Sequence, residues 1–346
     1  LVSTANALHK VNLMAQQLID SFGREITYLR LSVTDRCDLR CTYCMAENMT
    51  FLPRKDLLSL EELGTLCESF IKRGIKKIRI TGGEPLVRRD LMSFIHKLSK
   101  HRISGKLDEI TLTTNGTLLS RYAKELKLNG VERINISLDT LDPIVFTKLT
   151  RRNALEAVLK GIDTALEAGI KVKINTVALK GVNDTEIPSL IEWAHNKSMD
   201  ITLIEVMPLG DIDEDRVDQY IPLNAIRDNL EQRFTLNNVP LRTGGPARYA
   251  KIKETGGILG MITPLTNNFC ASCNRVRVTC TGQIYTCLGH GHKLDLRAAI
   301  RGENSDAELE RLLGVAMREK PEKHFFDISE RGAKPTVARH MSVTGG

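Results

Sequence analysis

Tyr28-Leu29-Arg30-Leu31-Ser32-Val33-Thr34, followed closely by Cys37-Asp38-Leu39-Arg40-Cys41-Thr42-Tyr43-Cys44, is the stretch from which the fold is read. Its first seven residues alternate as a strand does, so Leu29, Leu31 and Val33 share one face and Arg30, Ser32 and Thr34 the other. The same alternation returns in four later runs. Ile78 and Ile80 oppose Lys77, Arg79 and Thr81, and Ile110 and Leu112 oppose Thr111, Thr113 and Asn115. Ile134, Ile136 and Leu138 oppose Asn135, Ser137 and Asp139, and Val172 and Ile174 oppose Lys171, Lys173 and Asn175. The strands are expected over Tyr28–Thr34, Ile75–Thr81, Glu109–Asn115, Val131–Asp139, Ile170–Leu179 and Asp200–Pro208.

Helical periodicity fills the intervals, at Ser59–Arg73, Leu91–Lys100, Leu118–Leu128, Ala154–Ala168 and Asp184–Lys197. Ser59 with Glu62 reads as a capping box at the head of the first. Six strand–helix units in series predict an α/β protein with a parallel sheet, either barrel-like or open. The apolar strand faces must pack on the helices. A closed eight-stranded barrel fills its interior with branched apolar residues. Here the other face is polar and cationic over five strands, which is too costly to bury dry and unpaired. The interior is therefore expected to hold water and a large polar ligand. An ordinary solvated sheet face is the plainer alternative, but helices usually cover both sides of a parallel sheet.

The 346 residues suffice for two domains or one large one, and 42% hydrophobic content gives a real core. The net charge of +7, from 49 Lys and Arg against 42 Asp and Glu, fits nucleic acid or a phosphorylated small substrate equally well. No apolar run has the length of a membrane span. Leu1 to Arg24 carries no charged start followed by an apolar core, so it does not read as a secretory signal, and the cytoplasm is the expected compartment. After Pro208 the pattern changes: an acidic loop at Asp211–Asp218, a Gly-Pro stretch at Gly244–Pro246 and a second group of cysteines follow. A boundary is expected near residue 220, giving segments 1–220 and 221–346.

Eight cysteines in a long chain, six of them in two tight groups, favour metal over disulfides. Structural zinc wants four ligands in a closed tetrahedron. Cys37-x3-Cys41-x2-Cys44 supplies three, and three thiolates on a four-iron cluster leave one iron open to chemistry. A zinc loop borrowing a fourth ligand is the alternative. Gly82-Gly83-Glu84-Pro85 follows the second strand, where two glycines let backbone approach a ligand closely. Cys270-x2-Cys273-x13-Cys287 is a second set of three. Between its members Arg275 and Arg277 share one strand face, a fork for phosphate or a base edge, while Val276, Val278 and Cys280 share the other. Cys67, in line with Leu60, Leu63 and Phe70, and Cys280 are expected in the core. No histidine pair shows zinc spacing beside a carboxylate.

The first cysteine spacing and the Gly-Gly-Glu-Pro stretch are similar to the signature of the radical S-adenosylmethionine (SAM) superfamily. From Arg30 to Gly346 the chain resembles the GTP 3′,8-cyclases of molybdenum-cofactor biosynthesis. The resemblance is carried by Thr34-Asp35-Arg36-Cys37, Arg79-Ile80-Thr81-Gly82-Gly83-Glu84-Pro85 and Thr113-Thr114-Asn115-Gly116. Asn135-Ile136-Ser137-Leu138-Asp139, Cys270-Ala271-Ser272-Cys273-Asn274-Arg275 and the final Gly345-Gly346 complete it. It implies an incomplete (β/α)6 TIM-type barrel of the radical SAM type, closed by a C-terminal second-cluster domain, and a homodimer. It implies two 4Fe–4S clusters, with Cys37, Cys41 and Cys44 holding the one that binds SAM and Cys270, Cys273 and Cys287 the one that meets GTP.

The resemblance further implies SAM contacts at Tyr43, Gly83, Ser137 and Met207. It implies GTP contacts at Arg30, Arg79, Thr113, Lys173, Arg275, Val276 and Arg277, with Lys77 a further triphosphate contact on the face of Arg79. Gly345 and Gly346 would reach into the active site beside the catalytic Arg275 and Arg277. The implied reaction uses a 5′-deoxyadenosyl radical to take the ribose 3′ hydrogen of GTP, and attack on guanine carbon 8 gives 3′,8-cyclo-7,8-dihydro-GTP for a downstream cyclic pyranopterin monophosphate synthase. A reductant is required, and neither nucleic acid nor membrane is an expected partner. Thr202 departs from the pattern that the resemblance implies, standing where several relatives carry arginine. Two rivals differ in class. A peptide-modifying radical SAM maturase commonly carries longer C-terminal cysteine sets. A basic zinc-stabilised RNA module would interleave aromatic residues with its cations, whereas only 5% of this chain is aromatic.

Overall fold

The fold is that of a computed structural model, which describes residues 17–212, 216–328 and 335–345. Six strands follow in turn: β1 (Tyr28–Ser32), β2 (Lys77–Thr81), β3 (Glu109–Thr114), β4 (Arg133–Ser137), β5 (Lys171–Ala178) and β6 (Asp200–Glu205). Each pairs in parallel with the next. The helices between them are α1 (Leu60–Lys72), α2 (Leu91–Ile103), α3 (Leu119–Leu128), α4 (Pro143–Thr150), α5 (Leu155–Glu167) and α6 (Ile187–Asn196).

Local chemistry explains the boundaries. Ser59 Oγ accepts from the Glu62 N–H while the Glu62 carboxylate accepts from the Ser59 N–H, the expected capping box, worth about 1 kcal/mol. Helix α4, which periodicity did not reveal, starts where Asp142 accepts from the backbone of Ile144 and Val145 and Pro143 fills the first turn. It spans only eight residues, too few for an apolar stripe to declare itself.

The apolar strand faces behave as read. Leu29, Ile78, Ile110, Ile134, Ile174 and Ile201 are fully buried in one core layer with Phe70, Ile95, Leu126 and Ile162 of the helices. Cys67 belongs to that core, and Cys280 is fully buried as well.

The later part of the chain supplies α7 (Arg216–Gln219), α8 (Leu223–Leu230), β7 (Leu236–Val239), β8 (Arg248–Ile252), β9 (Ile258–Ile262), β10 (Arg275–Val278), β11 (Gln283–Tyr285), β12 (Leu294–Asp295), α9 (Arg297–Arg301), α10 (Ser305–Arg318) and α11 (Met341–Thr344). Its strands extend both edges of the same sheet. β10 runs parallel to β1 and β9 parallel to β6, so the sheet order is β12-β11-β10-β1-β2-β3-β4-β5-β6-β9-β8-β7. Antiparallel hairpins finish each edge, and the sheet passes without a break across the boundary expected near residue 220. Six βα units thus form an incomplete barrel whose open side is flanked by the C-terminal segment. Among the described residues, no helix is long and apolar enough to cross a membrane.

Candidate active site

The polar strand faces turn inward onto one large cavity, and both cysteine groups line it. The first group rides on the loop after β1. That loop is held by backbone packing against the loop after β2: the Gly83 N–H donates to the Thr34 carbonyl at 2.9 Å and the Glu84 N–H to the Arg36 carbonyl at 2.8 Å. A Cβ on Gly82 would lie 2.5 Å from the Thr34 carbonyl oxygen, and one on Gly83 would be 2.8 Å from that of Asp35. The two glycines are therefore also needed for loop-on-loop packing. Gly83 does also border the cavity.

Glu84 is fully buried and accepts from the Asn115 N–H at 2.6 Å, the Leu86 N–H at 2.9 Å and Thr114 Oγ1 at 2.8 Å. Burial raises its carboxyl to about 7 against those three donors. Asp38 accepts from Asn115 Nδ2 and Thr117 Oγ1, fixing the cysteine loop to the end of β3. Tyr43 donates its hydroxyl to Asp139 at 2.7 Å, which also accepts from the Val177 N–H. Ser137 and Met207 stand half-buried in the same wall.

Cys270, Cys273 and Cys287 stand across the cavity at the β10–β11 edge. Arg24 braces this group from a distant part of the chain. Its guanidinium bonds Asp20 at 2.6 Å and donates to the carbonyls of Cys270, Glu322 and Pro321 at 2.8, 2.7 and 2.7 Å. Lys320, 2% exposed, reaches Cys273 Sγ at 3.6 Å and the carbonyls of Thr286 and Arg275 at 2.6 and 3.2 Å. His324 lines the cavity between Phe269 and Phe326.

Between the two groups lies a cationic floor fixed by strand register. Arg277, Arg30 and Arg79 are neighbours across β10, β1 and β2, with Arg275 beside Tyr28 one step along. Like charges side by side repel, and burial adds to the cost. Burial with nearby Arg79 and Arg275 brings Arg30 down to about 9, and burial with Arg30 and Arg275 beside it pulls Arg277 well down. An anion in the cavity relieves that crowding. Arg79 donates to Thr113 Oγ1 at 3.3 Å, and Arg277 donates to the Gly345 carbonyl at 2.7 Å, so the tail does reach this floor. Gly346 lies outside the described residues.

The far end of the floor is Lys173, whose Nζ donates to the Tyr249 hydroxyl at 2.8 Å and lies 4.6 Å from the centre of its ring. Tyr249 in turn bonds Thr243 Oγ1 at 2.7 Å. Burial, with Arg133 nearby, lowers Lys173 to about 8. Lys77 does not join this wall: it pairs with Glu109 at 2.6 Å and donates to the Thr243 carbonyl at 3.0 Å. Val276 likewise turns its side chain into the apolar core, leaving only main chain toward a ligand. Thr202 lines the cavity opposite Gly260, its buried hydroxyl oxygen without a hydrogen-bond partner among the described residues.

The donors fit a pair of clusters. The six thiols are free and all border the cavity. Burial first of all raises Cys37, Cys41 and Cys44 well into the thiol range, with no cation close enough to reverse it in Cys37 and Cys41. Such thiols ionise when a metal centre binds them. Cys273 is brought down to about 7 by Arg275 and Lys320 against burial. Three thiols to a group is one short of the four ligands that a closed zinc site takes. A cluster instead takes each thiolate on a different iron. The orphaned Thr202 Oγ1, Asn135 Oδ1 and Arg79 Nε fit a polar ligand, since each costs about 1–3 kcal/mol unless something meets it.

Comparison with known proteins agrees with this geometry. Residues 31–194 match the family model "Radical SAM superfamily", and residues 199–326 match "Molybdenum Cofactor Synthesis C". The chain is 60% identical to a GTP 3′,8-cyclase of Rhizobium meliloti over 95% of its own length and 94% of the relative's. It is 61% identical to one of Erythrobacter litoralis over 96% and 99%. Streptococcus suis SuiB bound to S-adenosylmethionine shares the fold, with a TM-score of 0.62 at 15% identity over 92% of this chain and 77% of that one. Near-full-length identity of this order, with both family models in sequence, establishes that the chain belongs to the GTP 3′,8-cyclase family of radical SAM enzymes.

Proposed function

We propose that this chain converts GTP to 3′,8-cyclo-7,8-dihydro-GTP, the cyclisation that opens molybdenum-cofactor biosynthesis. The observation that carries the reading is the facing of two thiol trios across one cavity with a cationic floor between them. Cys37, Cys41 and Cys44 would hold the cluster that binds SAM, with Tyr43, Gly83, Ser137 and Met207 around the SAM. Cys270, Cys273 and Cys287 would hold a second cluster facing the guanine. When bound, the first cluster with SAM supplies one electron and a hydrogen-abstracting radical.

The chain's own residues do the rest. Arg30, Arg79, Lys173 and Thr113 bind and neutralise the triphosphate, and Val276 meets the nucleotide through its main chain. Arg275 and Arg277 orient base and ribose, with Gly345 meeting Arg277 from the tail. Carbon 3′ would then bond to carbon 8, the hydrogen leaving carbon 3′ going to the 5′-deoxyadenosyl radical, and one further electron from the reductant with a proton would complete the 7,8-dihydro product. Thr202 carries no charge, which leaves that part of the site to Lys173 and Tyr249. Residues 1–220 would supply the SAM cluster and most of the triphosphate contacts, and 221–346 the second cluster with Arg275 and Arg277. A cytoplasmic homodimer, a low-potential reductant and a downstream cyclic pyranopterin monophosphate synthase complete the proposal.

Substituting Cys270→Ala tests the division of labour. It is expected to remove about half of the bound iron and all cyclised product, while slow SAM cleavage persists. Undiminished iron with full product formation would overturn the second-cluster assignment.

A further inference from the structure

We propose that Lys320 is the counter-charge of the second cluster and holds that cluster's reduction potential up. The inference rests on the reading that Cys270, Cys273 and Cys287 carry a cluster. Lys320 follows α10, and its side chain runs beneath the β10–β11 edge, outside the cavity wall that a substrate touches. It is 2% exposed. Its three donors meet three acceptors: Thr286 O at 2.6 Å, Arg275 O at 3.2 Å and Cys273 Sγ at 3.6 Å. Thr286 adjoins Cys287, and Arg275 lies two residues from Cys273. One ammonium therefore sits among the backbones that carry two of the three thiols.

Among the described residues, no Asp or Glu pairs with Lys320. A buried ammonium that meets two carbonyls and a thiol sulfur, with no carboxylate beside it, is expensive, because desolvation costs several kcal/mol and such dipoles return only part of it. The missing anion is supplied when the thiols ionise on iron. The position is also over-determined. Arg24 grips the carbonyls of Pro321 and Glu322 and that of Cys270, so the segment bearing Lys320 and the loop bearing Cys270 are locked to one guanidinium. The His324 backbone N–H reaches the Cys270 thiol from the same segment. A fixed positive charge favours the reduced cluster, which carries one more negative charge. Hydrogen bonds to sulfur and local charge are the levers by which a protein sets such potentials. Lys320 is a positioning and tuning residue and touches neither GTP nor SAM.

The test uses the full chain with Cys37, Cys41 and Cys44 changed to Ala, so that only the second trio holds iron. K320Q, K320M and K320R are made in that background, and each cluster is titrated with dithionite and followed by EPR. In K320Q and K320M the reduction equilibrium is expected to shift at least tenfold toward the oxidised form, about 59 mV for a one-electron couple. K320R is expected to stay near the parent. Loss of iron from both neutral variants with retention in K320R also supports the counter-charge. Unchanged midpoints in K320Q and K320M, or equal loss of iron from all three, would overturn it. A parent protein that binds no iron would overturn the second-cluster reading itself, and the inference with it.

Discussion

GTP binding should weaken as pH rises through about 8, and Lys173 should be the cause. The side chain is 4% exposed, and burial, the nearby Arg133 and then Arg79 bring it down to about 8, with Asp200 and Tyr28 acting the other way. Tyr249 accepts its hydrogen bond without adding charge. A bound triphosphate raises Lys173 again, because an adjacent anion favours the charged amine. The sign follows: below pH 8 the amine is charged before GTP arrives, and above pH 8 binding must take up a proton. Each pH unit above 8 then costs up to tenfold in affinity, about 1.4 kcal/mol. Between pH 7 and pH 9 the dissociation constant should rise roughly tenfold. Anaerobic equilibrium binding of GTP at several pH values reads this directly. K173M should bind more weakly at pH 7 and show little slope above pH 8. A wild-type affinity that is flat to pH 9, or an equal slope in K173M, would refute the reasoning.

Tyr249→Phe removes the hydroxyl that joins Lys173 to Thr243, so KM for GTP should rise about fivefold, near 1 kcal/mol, with kcat unchanged. Gly83→Ala drives a Cβ into the carbonyls of Asp35 and Arg36, so iron should be lost from the first trio and kept by the second, as counted in single-trio variants. Arg24→Met leaves Asp20 buried without its ion pair and frees three carbonyls, so chemical denaturation should show a loss of about 3 kcal/mol.

Much of this was legible in the chain because it is written locally. Alternation placed Arg30, Arg79, Thr113 and Lys173 on one inward face, and the same rule put Val276 and Val278 in the core. The capping box fixed the start of α1 from two residues three apart. What escaped reading depends on distance along the chain. Arg24 meets residues 246 to 298 positions away, and Lys320 meets Cys273 from 47 away. No period or spacing announces such contacts. Lys77 was misplaced for a related reason: alternation gives a face, whereas Glu109 on the neighbouring strand decides where the amine points. The packing role of Gly82 and Gly83 is equally hidden, because the loop they pack on lies 48 residues earlier, from Gly82 back to Thr34.

The most direct test of the central claim is 5′-deoxyadenosine formation by reconstituted protein with SAM and dithionite, under anaerobic conditions, with and without GTP. The account predicts a burst that needs GTP and a matching amount of cyclised guanosine triphosphate. SAM cleavage that GTP neither stimulates nor accompanies with its own conversion would contradict it.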